Sequence, residues 1–379
     1  MTVVDKLQKE INKDYTLPIN LGLNDGTICP KSCINVLSNH NDRTSLRNYT
    51  SADNDPLLDT ICAKDGVNPE NIYLANGSGP ILKQCIPWIV EQRIRSSKTL
   101  TAKYLLKKNL GIGGAAFPII SGRLTYFKVP LKAGNAGLDV HLLPLGPETE
   151  WKLRLEDVEA AISKTPGLVY ICNPNNPTGQ LMLTREEIII LLDKYPDSVF
   201  WVDEAYVQYI PREDHEPLSN LVPKYNNLYV SRTFSFAYGL AGVRIGYLLA
   251  PPESVKAFQA AVTNYRLGTL QEALAIAALT DEEHIGELLE LCERDRQQIA
   301  EVLEEFNVEA VPSKTHYILG RFKDDRTGKW LAEELAKVGI KIKHFVDVQD
   351  EQYSEYFRIT LGVGKENDYL CEKLREILA

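Results

Sequence analysis

The sequence has no excess of basic charge: 42 lysines and arginines stand against 51 aspartates and glutamates, a formal net charge of −9. No Lys/Arg run lies beside an aromatic cluster, so the footprint of a nucleic-acid binder is missing and no such partner is expected. Long apolar runs are missing too, which leaves nothing to span a membrane. The first fifteen residues carry Asp5, Lys6, Lys9, Glu10, Lys13 and Asp14, so no secretory leader is expected. The seven cysteines are odd in number, scattered and without a C-x-x-C pair. They read as reduced, structural thiols of a cytoplasmic chain, with no metal site. Internal repeats and low-complexity stretches are absent, and the Asn48 and Asn76 sequons are short enough to arise by chance.

What remains is an ordinary globular composition, 44% hydrophobic and 25% charged over 379 residues, long enough for a large core and a second lobe. From about Gly167, short apolar runs alternate with helical stretches: a strand over 168–172, a helix over 185–195, then strands over 199–202, 228–230 and 243–249. Such alternation implies an α/β fold with a mostly parallel central sheet flanked by helices. Thr184 and Glu187 form a capping box for the first of these helices. A second box, Thr280 with Glu283, predicts the start of a long amphipathic helix to Phe306 that opens a smaller α+β C-terminal lobe. Pro251-Pro252 halts the preceding strand and marks the boundary, with 41–255 as the large lobe and 1–40 plus 256–379 as the small one. The glycine-rich run Gly111 to Gly114 reads as a mobile loop, since no helix or nucleotide motif follows it.

Three constellations carry chemistry, and each follows a strand. Asn173-Pro-Asn-Asn-Pro-Thr-Gly179 fixes a loop with two prolines and a glycine, holding Asn176 at a strand's carboxyl end, where α/β sheets bind ligands. Trp201-Val-Asp203-Glu-Ala-Tyr206 sets a carboxylate and a phenol three residues apart, and the carboxylate suits the anion that keeps a pyridine nitrogen protonated. Thr233, Ser235 and Arg244 supply two hydroxyls and a guanidinium fork, a cup for a dianion. Upstream, Gly77-Ser78-Gly79 precedes an apolar helical stretch whose N–H groups can face the same phosphate. Another phosphorylated ligand would also fill this cup, but a buried carboxylate beside a ligand without a cationic ring would be costly.

Taken together, the chain resembles the class I/II aminotransferases that depend on pyridoxal phosphate, closest to the histidinol-phosphate aminotransferase branch. The resemblance implies fold type I and covers nearly the whole chain. It implies that Asn176 and Tyr206 bond the cofactor's ring oxygen, that Asp203 pairs with the ring nitrogen, and that Gly77, Ser78, Gly79, Thr233, Ser235 and Arg244 hold the phosphate. Phe117 takes the place of the ring-stacking aromatic, and Tyr49 that of the tyrosine reaching the neighbouring subunit's phosphate, which implies a homodimer. Arg358 matches the arginine that binds the substrate carboxylate, with Asn24 and Lys343 as further substrate contacts. Lys343 stands where the branch has an arginine, and lysine lacks the planar fork, so an amino acid or 2-oxo acid other than histidinol phosphate is expected.

One position departs sharply. Where the family has the lysine that binds the cofactor and shuttles the proton, this chain has Phe236, framed by a matching Ser235 and Arg244. Phenylalanine has neither a nucleophilic nitrogen nor a titratable proton. Three readings follow: an enzyme that holds pyridoxal phosphate non-covalently or as an external aldimine, with Tyr206, Tyr238 or His316 moving the proton; a catalytically disabled ligand-binding protein; or an aminotransferase whose lysine was substituted.

Overall fold

The computed structural model describes residues 14–40, 46–47, 55–102, 117–135, 137–261, 266–345 and 353–379. Its strands in chain order are β1 (Ile19–Asn20), β2 (Ile72–Ala75), β3 (Ile119–Gly122), β4 (Val140–Leu143), β5 (Leu168–Cys172), β6 (Val199–Asp203), β7 (Leu228–Thr233), β8 (Gly246–Leu249), β9 (Val308–Val311), β10 (Tyr317–Phe322), β11 (Ile340–Lys341), β12 (Lys343–His344) and β13 (Tyr356–Thr360). Seven of them form one sheet in the order β2-β8-β7-β6-β5-β3-β4, and four form a second in the order β12-β13-β10-β9.

The apolar runs at β5, β6 and β7 are buried on both faces, as a parallel sheet covered by helices requires. Alternate residues serve opposite cores. Leu168, Tyr170 and Trp201 belong to one cluster, and Val169, Ile171, Phe200, Val202 and Val230 to the other. The helix Arg185–Lys194 crosses between β5 and β6, and its N-terminus carries the reciprocal Thr184–Glu187 cap expected of it.

Two expectations are corrected. The strand placed over 243–249 begins only at Gly246, because Ala241–Val243 form a short 3₁₀ turn and Arg244 takes a left-handed conformation. That strand is also antiparallel to both its neighbours, since the link from β7 contains only a single 3₁₀ turn, too short to make a crossover. The long helix opens at His284, not within Thr280–Glu283. Thr280 ends the preceding helix, Thr269–Thr280, and Asp281 Oδ1 accepts from the His284 N–H at 3.2 Å. The Gly111 to Gly114 run and Tyr49 lie outside the described residues.

Because β2 runs antiparallel to β8, it points the same way as the parallel strands. The carboxyl ends of β2, β3, β5, β6 and β7 therefore share one edge. β1 pairs with β11 beside the second sheet, and Thr360 N–H donates to Leu21 O at 2.8 Å, so residues 22–24 run alongside β13. Among the described residues no helix is long and apolar enough to cross a membrane and no group of three metal-ligating side chains occurs, while all seven cysteines are free thiols.

One buried ionic network underlies the sheet. Arg232 Nε and Nη2 donate to Glu204 Oε2 at 2.9 and 2.6 Å, its Nη1 bonds Asp65, and Tyr247 O–H donates to Asp65 at 2.8 Å. Removing the cation strands two carboxylates away from water. Arg232→Met is expected to cost about 3–5 kcal/mol in urea unfolding; a loss under about 1 kcal/mol would show the network to be dispensable.

Candidate active site

Register lines up the shared edge. Cys172, Asp203 and Ser231 lie side by side across β5, β6 and β7, and Ala75, Gly246 and Thr233 across β2, β8 and β7. Asp203 is 3% exposed and accepts from Tyr170 O–H and Ser231 O–H, both at 2.9 Å, and from the Ala205 N–H. Burial outweighs those donors and raises its carboxyl from 3.8 to about 6. Hydroxyls and an amide surround this anion, and no cation is among its hydrogen-bond partners.

Tyr206 stands beyond it, fully enclosed. Its oxygen accepts from Asn24 Nδ2 at 3.0 Å and Asn176 Nδ2 at 3.1 Å, so its own proton remains to be donated. Arg358 completes the group from β13. Its Nη1 donates to Asn176 Oδ1 at 2.7 Å and its Nη2 to Gly22 O at 2.6 Å, while the buried Nε has no partner. Burial lowers the pKa of this guanidinium, and both groups it bonds are neutral. A buried cation whose partners carry no charge is expensive unless a ligand supplies the anion.

At the other end lies the cup. The helix Ser78–Ser96 starts from Gly77 at φ +94°, a left-handed position suited to glycine, and a Cβ there would lie 2.5 Å from Arg244 Nη2. The guanidinium of Arg244 is therefore packed against the helix N-terminus. Thr233 Oγ1 donates to Ser235 Oγ at 2.9 Å and accepts from the Ser235 N–H at 3.2 Å. Gly79 borders an adjoining cavity of about 350 Å³.

Phe236 projects into the same region, its ring stacked on Tyr206 with centroids 4.5 Å apart and planes at 15°. His316 lies 5.9 Å from it, stacked on Tyr209 at 4.6 Å. The His316 Nε2 bonds Asn24 O at 3.1 Å, its Nδ1 is unpartnered, and burial pushes its pKa down to about 3. Tyr238 turns to the opposite core, tilted against Phe234. Lys343 pairs with Arg358 across β12 and β13, its Nζ 6.0 Å from the Phe127 ring.

Phe117 is 1% exposed and packed into the core just before β3. The aromatic at the cavity is Tyr126, which borders it together with Gly79 and whose phenol burial and then the Asp203 charge push up to about 12. Tyr126 escaped the sequence reading, although it follows β3 at the ligand-binding edge. The neighbouring Thr125 Oγ1, which donates to Asn175 Oδ1 at 2.6 Å, fixes that loop to the asparagine motif.

The aminotransferase class I and II pattern matches residues 115–374. A histidinol-phosphate aminotransferase of Anaeromyxobacter is 30% identical over 85% of this chain and 80% of its own length. Histidinol-phosphate aminotransferase 2 of Haemophilus influenzae is 28% identical over 88% and 82%. Among solved structures, the histidinol-phosphate aminotransferase of Sinorhizobium meliloti, in complex with pyridoxal-5'-phosphate, superposes with a TM-score of 0.78 at 23% identity, covering 100% of this chain and 95% of that one. This likeness extends to the whole fold, fold type I.

The buried Asp203 has a measurable consequence in the ligand-free chain. Its carboxyl lies above the unfolded value, so the unfolded state binds fewer protons between pH 4 and 6 and the penalty is complete above about pH 6. Asp203→Asn should therefore stabilise the ligand-free chain by about 3 kcal/mol at pH 7–8, with the gain fading as pH falls toward 4. Thermal unfolding across that range checks it; a gain independent of pH would assign the effect to packing.

Proposed function

The chain belongs to the class I and II aminotransferase family, and from that premise we propose that it binds pyridoxal phosphate together with an amino acid or 2-oxo acid, without a covalent bond from the protein to the cofactor. One observation carries this reading. Asp203 is a buried anion with no cationic partner and Arg358 a buried cation with neutral partners, and Tyr206 stands between them. A ligand with a protonated ring nitrogen at one end and a carboxylate at the other neutralises both.

The residues fit the cofactor. Asp203 would hold the ring nitrogen, Tyr206 and Asn176 the ring oxygen, and Gly77, Ser78, Gly79, Thr233, Ser235 and Arg244 the phosphate. Tyr126 takes the stacking role expected of Phe117. When bound, pyridoxal phosphate supplies an electron sink for charge developing at the substrate's α carbon. Arg358 would orient the substrate by its carboxylate, and Asn24 fixes Tyr206 so that the phenol proton points outward. Tyr206 is the proton-bearing group against the Phe236 ring, whereas Tyr238 faces away. His316 keeps a bare Nδ1 lone pair, a weak base at neutral pH.

A second reading, binding without turnover, draws on the Phe236 stack itself, which puts an inert ring where a proton carrier would act. Residues 41–255 read as the large lobe and 1–40 with 256–379 as the small one, in keeping with one sheet inside 72–249 and the other inside 308–360. We read the protein as a cytoplasmic homodimer, supported by its free thiols and by the family likeness.

An absorption titration tests the proposal. The native chain should gain a new band only when cofactor and an amino acid are both present, while Phe236→Lys should gain one with cofactor alone. A native chain that never binds, with transamination appearing in Phe236→Lys, would mark a disabled aminotransferase. Arg358→Gln should weaken amino acid binding by about 10²-fold or more, measured by the same band, because a buried charge pair is lost.

A further inference from the structure

Phe236 is held in its place by backbone and ring alike. A Cβ at Gly26 would collide with the Phe236 carbonyl, and one at Gly239, which sits at φ +58°, would collide with the carbonyl of Ile28. The ring lies flat on Tyr206 at 4.5 Å and stands 5.9 Å from His316. Phe236 is thus the partly exposed ring of an aromatic group backed by the buried Tyr206 and His316. None of them is charged: burial holds the imidazole in its neutral form and keeps the phenol protonated.

Phe236 carries no amine where a lysine would, so an amine against this ring is one that the ligand brings. An ammonium lying against aromatic faces is attracted by their quadrupoles, more strongly where water is excluded. The buried guanidinium of Arg358 donates to Asn176 and Gly22 and lies over the Tyr317 ring, not over Phe236. An aldehyde in the same place gains no such attraction. Without a lysine to capture it, it is held only by the contacts it shares with the amine. Resting on the cofactor reading above, we propose that Phe236 makes this site select the amine form of the cofactor, pyridoxamine phosphate, as its resident ligand, and leaves the aldehyde form as the weaker, exchangeable one. A lysine at position 236 would reverse the order, because covalent capture favours the aldehyde alone.

Dissociation constants of pyridoxamine phosphate and pyridoxal phosphate, measured separately on the full chain by calorimetry and by quenching of protein fluorescence, test this. The native chain is expected to bind the amine form about tenfold more tightly. In Phe236→Leu, which removes the aromatic face without adding a nitrogen, the two constants should converge; Phe236→Met serves if the leucine variant does not fold. In Phe236→Lys the aldehyde should overtake the amine, with a mass gain at residue 236 after borohydride reduction. Equal or tighter binding of the aldehyde by the native chain, or a preference unchanged in Phe236→Leu, overturns the selection and leaves the cofactor reading standing. If the native chain binds neither compound, both fall.

Discussion

The phenol oxygen of Tyr206 is the point at which three distant parts of the chain are held together. Asn24 reaches it from the N-terminal segment, and Asn176 from the loop after β5. Arg358 arrives from β13 through the Asn176 side chain. Thr360 Oγ1 also donates to Asn24 Oδ1 at 2.9 Å, so that asparagine is bonded on both sides. A buried hydroxyl with two amide donors fixes the relative position of the two sheets at the site, and every polar group around it is oriented by that constraint.

Charge is distributed around this node in an unusual way. Elsewhere the interior pairs its ions closely, as Arg232 does with Asp65 and Glu204. At the sheet edge, opposite charges are kept apart, Asp203 among hydroxyls and Arg358 among carbonyl oxygens. A folded chain gains nothing from this separation, because each ion is desolvated without a counter-ion. Such an arrangement is what a preorganised binding site requires: stability is withheld in the free protein and recovered when a ligand brings the complementary charges.

Much of this was legible in the residues. The runs at 168–172 and 199–202 are buried on both faces and read clearly as strands, and the Thr184 cap was unambiguous. The three motifs could be placed at one edge because each follows such a strand. What the sequence hid was tertiary. Val243 to Ile245 look like strand residues, yet the turn that positions Arg244 overrides their propensity. Thr280 resembles a helix start, but its hydroxyl bonds back to Ile276 O at 2.9 Å as the end of the helix before. Phe117 and Tyr126 are both aromatic and flank the same short strand, and only the packing distinguishes core from cavity.

The link between β7 and β8 bears on how such a site can change over time. It spans residues 234–245, and its ends are pinned to each other by the pairing of Thr233 with Gly246. It therefore forms a closed hoop of set circumference that carries Ser235, Phe236 and Arg244 at fixed stations. Gaining or losing one residue would move every station at once and break the approach of Gly26 and Gly239 to the backbone. Variation here is confined to exchanging one side chain for another in an unaltered frame, so a lineage can trade its chemistry at a single station while inheriting the rest of the pocket intact.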